Sequence, residues 1–298
     1  MPMLPLIDSR WIGILAALGS AASWALGSIL FKGLGAGVSS LAMTLGKGVL
    51  SVLLLSMAVL VTGTEPIAAK PALLLMLSGV VGIGLGDTFF FEALKALSAH
   101  AMVILLMLGQ VLTAGLAILL LGEVPSTDQW IAMGLVVLGV GVVLSSQQAG
   151  EAGSSRTRGV IFGLLAVFCM SLSLIIAKQG LDQVSALQAT WIRMLSGSLC
   201  LVLLGLISQR LDTWIGPFRH RPYLARFLGS VMVVTFGGFW LSLVALKHLD
   251  VAVANTLTST EPIFILPLAF YFLRERVSRL SLLGTGVSMT GIVLLCAL

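Results

Sequence analysis

Gly86-Asp87-Thr88-Phe89-Phe90-Phe91-Glu92-Ala93-Leu94-Lys95-Ala96-Leu97 is echoed by Gly238-Phe239-Trp240-Leu241-Ser242-Leu243-Val244-Ala245-Leu246-Lys247-His248-Leu249, at a shift of 152. The two stretches share a glycine, an Ala-Leu-Lys triplet and a leucine at matching places. The same shift lays Glu123 on Glu275, Ser126 on Ser278, Gly134 on Gly286 and Gly139 on Gly291. Over 84–144 it gives 13 identities in 61 positions. Leucine on leucine means little in an apolar chain, but lysine, glutamate and glycine at one shift mean more. Earlier in the chain the shift becomes 146 and pairs Gly13 with Gly159, Lys32 with Lys178 and Lys47 with Arg193. The chain is thus read as two related halves, 1–148 and 149–298.

What each half contains follows from composition. Of 298 residues, 58% are apolar and 10% charged, and the mean hydropathy is +1.10. A soluble domain has about 45–50% apolar and about 25% charged residues, and no soluble fold hides so much apolar surface. A soluble enzyme, a disordered chain and a nucleic-acid binder are excluded, so the partner surface is a lipid bilayer. The net charge of +5 is scattered, and in a membrane chain basic residues mainly report orientation. Cys169, Cys200 and Cys296 lie in apolar stretches without paired spacing, which argues against a disulfide or zinc framework.

A bilayer span needs about 20 mostly apolar residues. Ten such stretches are expected, at 11–32, 38–61, 72–95, 98–121, 129–146, 159–178, 185–207, 225–246, 251–273 and 280–297. The first is too long for a cleaved leader. Period-two alternation is absent, so a barrel is excluded, and backbone in lipid must then be helical. The fold class is all-α integral membrane, and the six residues by which the shifts differ fall in the long connector between the seventh and eighth spans. Connectors after the odd-numbered spans carry eleven Lys and Arg (Lys32, Lys95, Arg156, Arg158, Arg210, Arg219, Arg221, Arg226, Arg274, Arg276, Arg279). The other face carries four: Arg10, Lys70, Lys178 and Lys247. This bias predicts odd connectors in the cytoplasm and both termini on the non-cytoplasmic side.

Five spans per half is an odd number, so the second half enters the membrane from the opposite side. Two inverted five-helix repeats are a transporter architecture, because two similar halves make two similar states open to opposite sides.

Several local patterns resemble the drug/metabolite transporter superfamily, EamA type. Ser23-Trp24-Ala25-Leu26-Gly27-Ser28 followed by Lys32 is similar to the family's opening Trp-Gly-Ser and lysine, with Ala-Leu intervening here. Lys47 and Arg193 stand where the family usually has an arginine early in the second helix of each half, with lysine in its place in the first half. Ala93-Leu94-Lys95 and Ala245-Leu246-Lys247 resemble its third-helix ending, and Leu121-Gly122-Glu123 and Leu273-Arg274-Glu275 its Leu-Gly-Glu. The resemblance spans nearly the whole chain and implies a ten-helix carrier exporting a solute. It is silent on which solute, since the family carries amino acids, amines, nucleotide sugars and others.

Four ionisable residues lie deep in the spans: Lys47, Asp87, Arg193 and Glu261. Each costs about 2.5–3.5 kcal/mol on insertion scales, so each should face an interior or a wet cavity. Lys47 and Arg193 fit either an anion site or fixed structure; Arg193, always charged, is assigned to structure. Asp87 flanks a stripe of Gly79, Gly82 and Gly86 that lets a neighbouring backbone approach. It is a candidate for protons or a substrate amine, or a partner for Lys47. Glu92 is borderline, near a span end. The richest stretch is Asn255-Thr256-Leu257-Thr258-Ser259-Thr260-Glu261-Pro262. Pro262 and Pro267 leave the carbonyls of Thr258 and Ile263 without their helical partners, which makes an adaptable polar site of the broken-helix kind beside the Glu261 carboxylate, a group that suits proton binding; the alternative is a kinked packing helix whose Ser and Thr bond back to their own backbone. Asn255, Thr258 and the repeat counterpart Gln110 are expected to line the same cavity, and Trp24 is the best placed of the deep tryptophans. His100 and His248, at span ends, are expected to be solvated or capping.

The expectation is a secondary transporter in the cell (inner) membrane that moves a small-molecule substrate, an amino acid or related metabolite, outward by alternating access, with protons as the candidate driving ion. No metal, cofactor or nucleotide site is expected, because GxxxxGK[ST], HExxH and GxSxG patterns are absent. This argues against an enzyme. A monomer or homodimer is expected. The alternative is a carrier or flippase for nucleotide-linked or lipid-linked sugars, with Lys47 and Arg193 clamping phosphate.

Overall fold

Ser39 and Ser185, 146 positions apart, open two helices in the same way. Ser39 Oγ accepts from the Ala42 N–H at 3.2 Å and Ser185 Oγ from the Gln188 N–H at 3.2 Å, each satisfying one N–H that a helix start leaves without a partner. They begin α2 (Ser40–Thr62) and α8 (Ala186–Ile207). The structure is a computed structural model that describes residues 9–109, 111–112, 126–146, 153–181, 184–249, 254, 257–258, 260–274 and 277–297.

The described elements are helices throughout. Around α2 come α1 (Ser9–Leu34), α3 (Ala69–Gly79), α4 (Asp87–Ala96), α5 (Ala99–Leu106) and α6 (Thr127–Ser146). The second half has α7 (Gly153–Leu181), α8, the short α9 (Leu211–Ile215), α10 (Arg221–Met232), α11 (Leu241–His248), α12 (Glu261–Leu273) and α13 (Arg279–Ala297). Seven helical stretches among the described residues are long and apolar enough to cross a membrane, including Ala69–Ala96 and Arg221–His248 as continuous rods. Glu261–Leu273 and Arg279–Leu294 are shorter apolar helices. The expected spans 98–121 and 251–273 are described only in part.

Each continuous rod contains a widened turn, Val80–Gly86 between α3 and α4 and Val233–Trp240 between α10 and α11. The Asp87 N–H reaches back five residues to the Gly82 carbonyl. Such π-type turns gather at functional sites, and these two occupy matching places in the repeats.

Contacts between the halves obey the two shifts. A side chain on Gly13 would strike Leu249 and His248, and one on Gly159 would strike Leu97 and Ala96. Adding 146 to Gly13 and subtracting 152 from the others converts one contact into the other. Gly82 lies on Ser173 as Gly27 lies on Val234. On α6 and α13, Gly139 faces Gly284 and Ser288, while Gly291 faces Ala132 and Val136; these are again repeat partners. Contacts that map onto themselves when the halves are exchanged are the mark of a twofold relation. Here the axis passes between α6 and α13, and the small residues let the two backbones close up without lipid between them.

The connectors sort into two ends. Lys32 Nζ on α1 donates to the carbonyls of Leu94 and Leu97, both at 2.6 Å. Arg158 pairs with Glu92 at 2.7 Å, and Tyr223 donates from its hydroxyl to the Leu34 carbonyl at 3.3 Å. These bonds gather the connectors after the first, third, fifth and seventh expected spans. At the other end Gln188 Nε2 donates to the Glu65 carbonyl at 2.9 Å. Neighbouring spans therefore alternate in direction. The long connector folds into α9 and a tight turn, Gly216–Arg219, that presses Phe218 onto Gly46 and Trp214 onto Gly205.

Candidate functional site

Thr260 interrupts the ninth span. Its backbone (φ −76°, ψ −1°) caps α12, which starts at Glu261 with Pro262 in the first turn. A proline there removes an N–H that has no helical partner anyway. The helix is broken before Glu261 rather than bent through Pro262, so the Thr258 carbonyl lies before the helix start. Pro267 does sit inside α12.

The break faces a cavity of about 250 Å³. Glu261 and Thr258 line it together with Trp24, Ser20 and Ser28 of α1, Phe90 of α4, Met107, and Met170 and Ser171 of α7. Both halves thus contribute. Glu261 is half-buried, and no ion pair among the described residues involves it. Its position in the first turn of α12 sets the carboxylate against the positive end of the helix dipole. Asn255 and Gln110 lie outside the described residues.

Lys47 and Asp87 are brought together elsewhere. They form an ion pair, with Lys47 1% and Asp87 2% exposed. Lys47 Nζ also lies 4.5 Å from the Phe239 ring centroid, and Phe239 meets Trp24 edge-on at 4.6 Å. Trp24, Ser28 and Phe90 touch both the cavity and the small gap beside the pair, so these three form the wall between them. Arg193, 8% exposed, lays its backbone against Gly79, and its guanidinium lies beside Gly82 and donates from Nη2 to Ser173 Oγ at 3.2 Å. Neither Lys47 nor Arg193 lines the cavity, so the phosphate clamp imagined for a sugar carrier is not assembled here.

Three features escaped the sequence reading. His100 is not solvated: it is 3% exposed, with Nε2 3.0 Å from Ser281 Oγ and 3.2 Å from Thr285 Oγ1 on α13. Its solvated reading failed because the covering helix is 181 residues away in sequence. Ser242 and Ser171 also reach the cavity; single serines in apolar runs gave no signal. Finally, Ser40 Oγ donates to Glu92 Oε2 at 2.6 Å beside the Arg158 pair, at the rim of a second hollow of about 290 Å³. Glu92 thus belongs to the membrane edge. Cys169 is a buried thiol beside Gly86, and Trp191 is a packing residue whose Nε1 donates to Ser56 Oγ at 2.9 Å.

A protein of Archaeoglobus fulgidus described as an uncharacterized transporter is 25% identical over 228 residues, 76% of each chain. A solved crystal structure superposes with a TM-score of 0.64 over 96% of both chains at 15% identity, a likeness of fold. Residues 11–145 and 157–297 each match the EamA-like transporter family. With matched halves covering nearly all its length and a cavity built between them, this multi-pass membrane protein belongs to the EamA-like transporters of the drug/metabolite transporter superfamily.

Proposed function

We propose that this chain is a secondary transporter that exports a small organic solute, an amino acid or related metabolite, across the cell membrane by alternating access, with Glu261 as the proton-binding group. One observation carries the reading. A carboxylate with no charged partner among the described residues stands at a broken helix, in a cavity lined by both repeats. Discontinuous helices at a repeat interface are where carriers place substrate and coupling ion, and an intramembrane carboxylate without a structural partner is a functional group by default. Outward direction and the inner membrane come from the family resemblance. The charge bias puts the odd connectors in the cytoplasm and both termini on the far side.

The test is purified protein in liposomes with labelled metabolites, with and without a pH gradient. Saturable counterflow is expected. Glu261→Gln should keep counterflow and lose accumulation driven by the gradient. Full accumulation by that variant would remove the proton role, and flux that fails to saturate would indicate a channel. A C-terminal tag reached only from the cytoplasm would overturn the orientation.

A further inference from the structure

The second hollow, of about 290 Å³, shares no lining residue with the central cavity. Ser39 and Ser40 at the start of α2, Glu92 and Lys95 near the end of α4, and Arg158 and Phe162 of α7 line it. These positions lie at the ends of the apolar stretches Ser40–Thr62, Ala69–Ala96 and Arg156–Leu181, the level at which lipid headgroups meet hydrocarbon. Arg158 lies over the Phe162 ring, 5.5 Å from its centroid, and Phe162 meets Phe89 at 5.8 Å. On the same face of α7, Ile161, Leu165 and Phe168 follow Arg158 at helical spacing and are exposed. A charged head therefore sits above an apolar, lipid-facing stripe.

The charges in the hollow do not balance. Glu92 Oε2 accepts from Ser40 Oγ at 2.6 Å, and Oε1 accepts from Arg158 Nη2 at 2.7 Å. Lys95 Nζ stands 4.0 Å from the same carboxylate, beyond hydrogen-bond reach. One carboxylate thus faces two cations. Among the described hydrogen bonds Arg158 donates one N–H, to Glu92, and Lys95 donates none, although a guanidinium carries five and an ammonium three. The set is completed by an anion with several acceptor oxygens. Ser39 caps α2 at the rim, and a helix start also favours an anion.

The repeat shows that the fold does not require this lining. The two shifts carry Ser40 to Ala186, Glu92 to Val244, Arg158 to Ile12 and Phe162 to Ala16, and of the three charged residues Lys95 alone is matched, by Lys247. The twin position, at the opposite end of the inverted halves, is otherwise apolar. The charged hollow thus belongs to one membrane surface, the one whose connectors are rich in Lys and Arg.

We propose that this hollow binds the headgroup of one anionic phospholipid, its phosphodiester held by Arg158 and Lys95 and its acyl chains lying along Phe162 and the exposed stripe of α7. Guanidinium and phosphate pair through two parallel hydrogen bonds, and basic hollows between spanning helices take lipid headgroups. An ethanolamine or choline headgroup adds a cation where the one carboxylate already accepts from Ser40 and Arg158. The bound lipid ties α2, α4 and α7 together, whatever solute the central cavity takes.

The test uses the purified full chain, delipidated in neutral detergent, and three dioleoyl lipids: phosphatidylglycerol, phosphatidylethanolamine and phosphatidylcholine. Native mass spectrometry reads the bound fraction. Phosphatidylglycerol is expected to bind about tenfold or more tightly than the other two, the order two basic groups supply. Arg158→Gln and Lys95→Gln should each weaken its binding about fivefold. Glu92→Gln keeps an acceptor oxygen for Arg158 and removes the negative charge, so it should tighten binding, a gain that a plain surface ion pair would not show. Arg219→Gln, at the same end but outside the hollow, should change nothing. Each variant is checked for a wild-type elution profile. Equal binding of the three lipids overturns the proposal, as does a Glu92→Gln variant that binds no more tightly. An equal loss in Arg219→Gln would overturn it in favour of diffuse attraction to the basic connectors. Displacement of the lipid by an equal concentration of inorganic phosphate would overturn it in favour of a soluble anion.

Discussion

Lys47 on α2 and Asp87 at the start of α4 neutralise each other inside the helical layer, both almost wholly shielded. Taking one partner from a buried pair leaves a bare charge and costs about 3–5 kcal/mol, whereas replacing both with apolar residues of like volume is often neutral. Asp87→Ala should therefore lower the midpoint of thermal unfolding in detergent sharply, and Lys47→Met/Asp87→Leu should recover part of it, since the nearby buried Arg193 guanidinium still loses the Asp87 charge. Counterflow by the recovered double variant would assign the pair to architecture. A stable double variant that no longer transports would assign it to the transport cycle.

Much of this arrangement is legible in the sequence, and what is hidden has a physical reason. Repeated glycines and lysines survive at fixed shifts because the same two contacts must be made twice, so Gly13 and Gly159, or Gly139 and Gly291, betray the inverted halves. Glu261 stands out because a carboxylate among hydroxyls in an apolar span is expensive. The pairing of Asp87 was one of two open readings, since its choice between Lys47 and the cavity is decided by which way α4 turns after the widened segment at Val80–Gly86. That segment is itself invisible to composition, because an apolar glycine-rich run fits an α or a π turn equally. Ser171 and Ser242 donate to the Gly109 and Phe239 carbonyls, a direction likewise set by the neighbouring backbone and not by the residue type.

Glycine substitution should divide by contact. A Cβ on Gly139 would strike Ser288 and the Gly284 carbonyl, and one on Gly291 would strike the Ala132 carbonyl, while Gly134 and Gly286 face open space. Overpacking typically costs about 1–3 kcal/mol, and alanine in an open helical site gains up to about 1 kcal/mol over glycine. Gly139→Ala and Gly291→Ala should lower thermal stability by similar amounts, since the twofold makes their surroundings alike. Gly134→Ala and Gly286→Ala should raise it slightly. Unequal losses for the first two would show that the halves do not share the α6–α13 contact evenly.

His100 should act as a fastener between α5 and α13. Its Nε2 meets Ser281 and Thr285, while its Nδ1 is buried with no hydrogen-bond partner among the described residues. Thr285 already donates to the Ser281 carbonyl at 2.9 Å, so loss of the imidazole strands chiefly the Ser281 hydroxyl. Leaving one buried polar group unmet costs about 1–3 kcal/mol. His100→Leu should be destabilised by that order, and His100→Leu/Ser281→Ala should be closer to wild type. A double variant no better than the single one would mean that packing volume, not the hydrogen bond, fixes the two helices.

Lys32 and Lys178 should alternate as the cycle turns. Lys32 Nζ bonds the carbonyls of Leu94 and Leu97 at one end of the molecule, while the cavity extends toward Leu246 and Ala254 at the other. The repeat shifts carry Lys32 to Lys178, Leu94 to Leu246 and Leu97 to Leu249. In this state none of the described hydrogen bonds or ion pairs joins Lys178 to those two carbonyls. In the opposite state the inverted halves exchange roles, so Lys178 should take the carbonyls of Leu246 and Leu249 as Lys32 lets go. A hydrogen bond to a charged group contributes about 1.5–3 kcal/mol, enough to move a balanced two-state equilibrium about tenfold or more. With the native cysteines replaced by alanine, a cysteine at Ser28 should react with an impermeant thiol reagent about tenfold faster from the Lys32 end when Lys32→Met is introduced. Lys178→Met should slow the same reaction, because it weakens the state open to that end. Equal rates in all three backgrounds would show that the lysines hold helix ends without setting the balance between states.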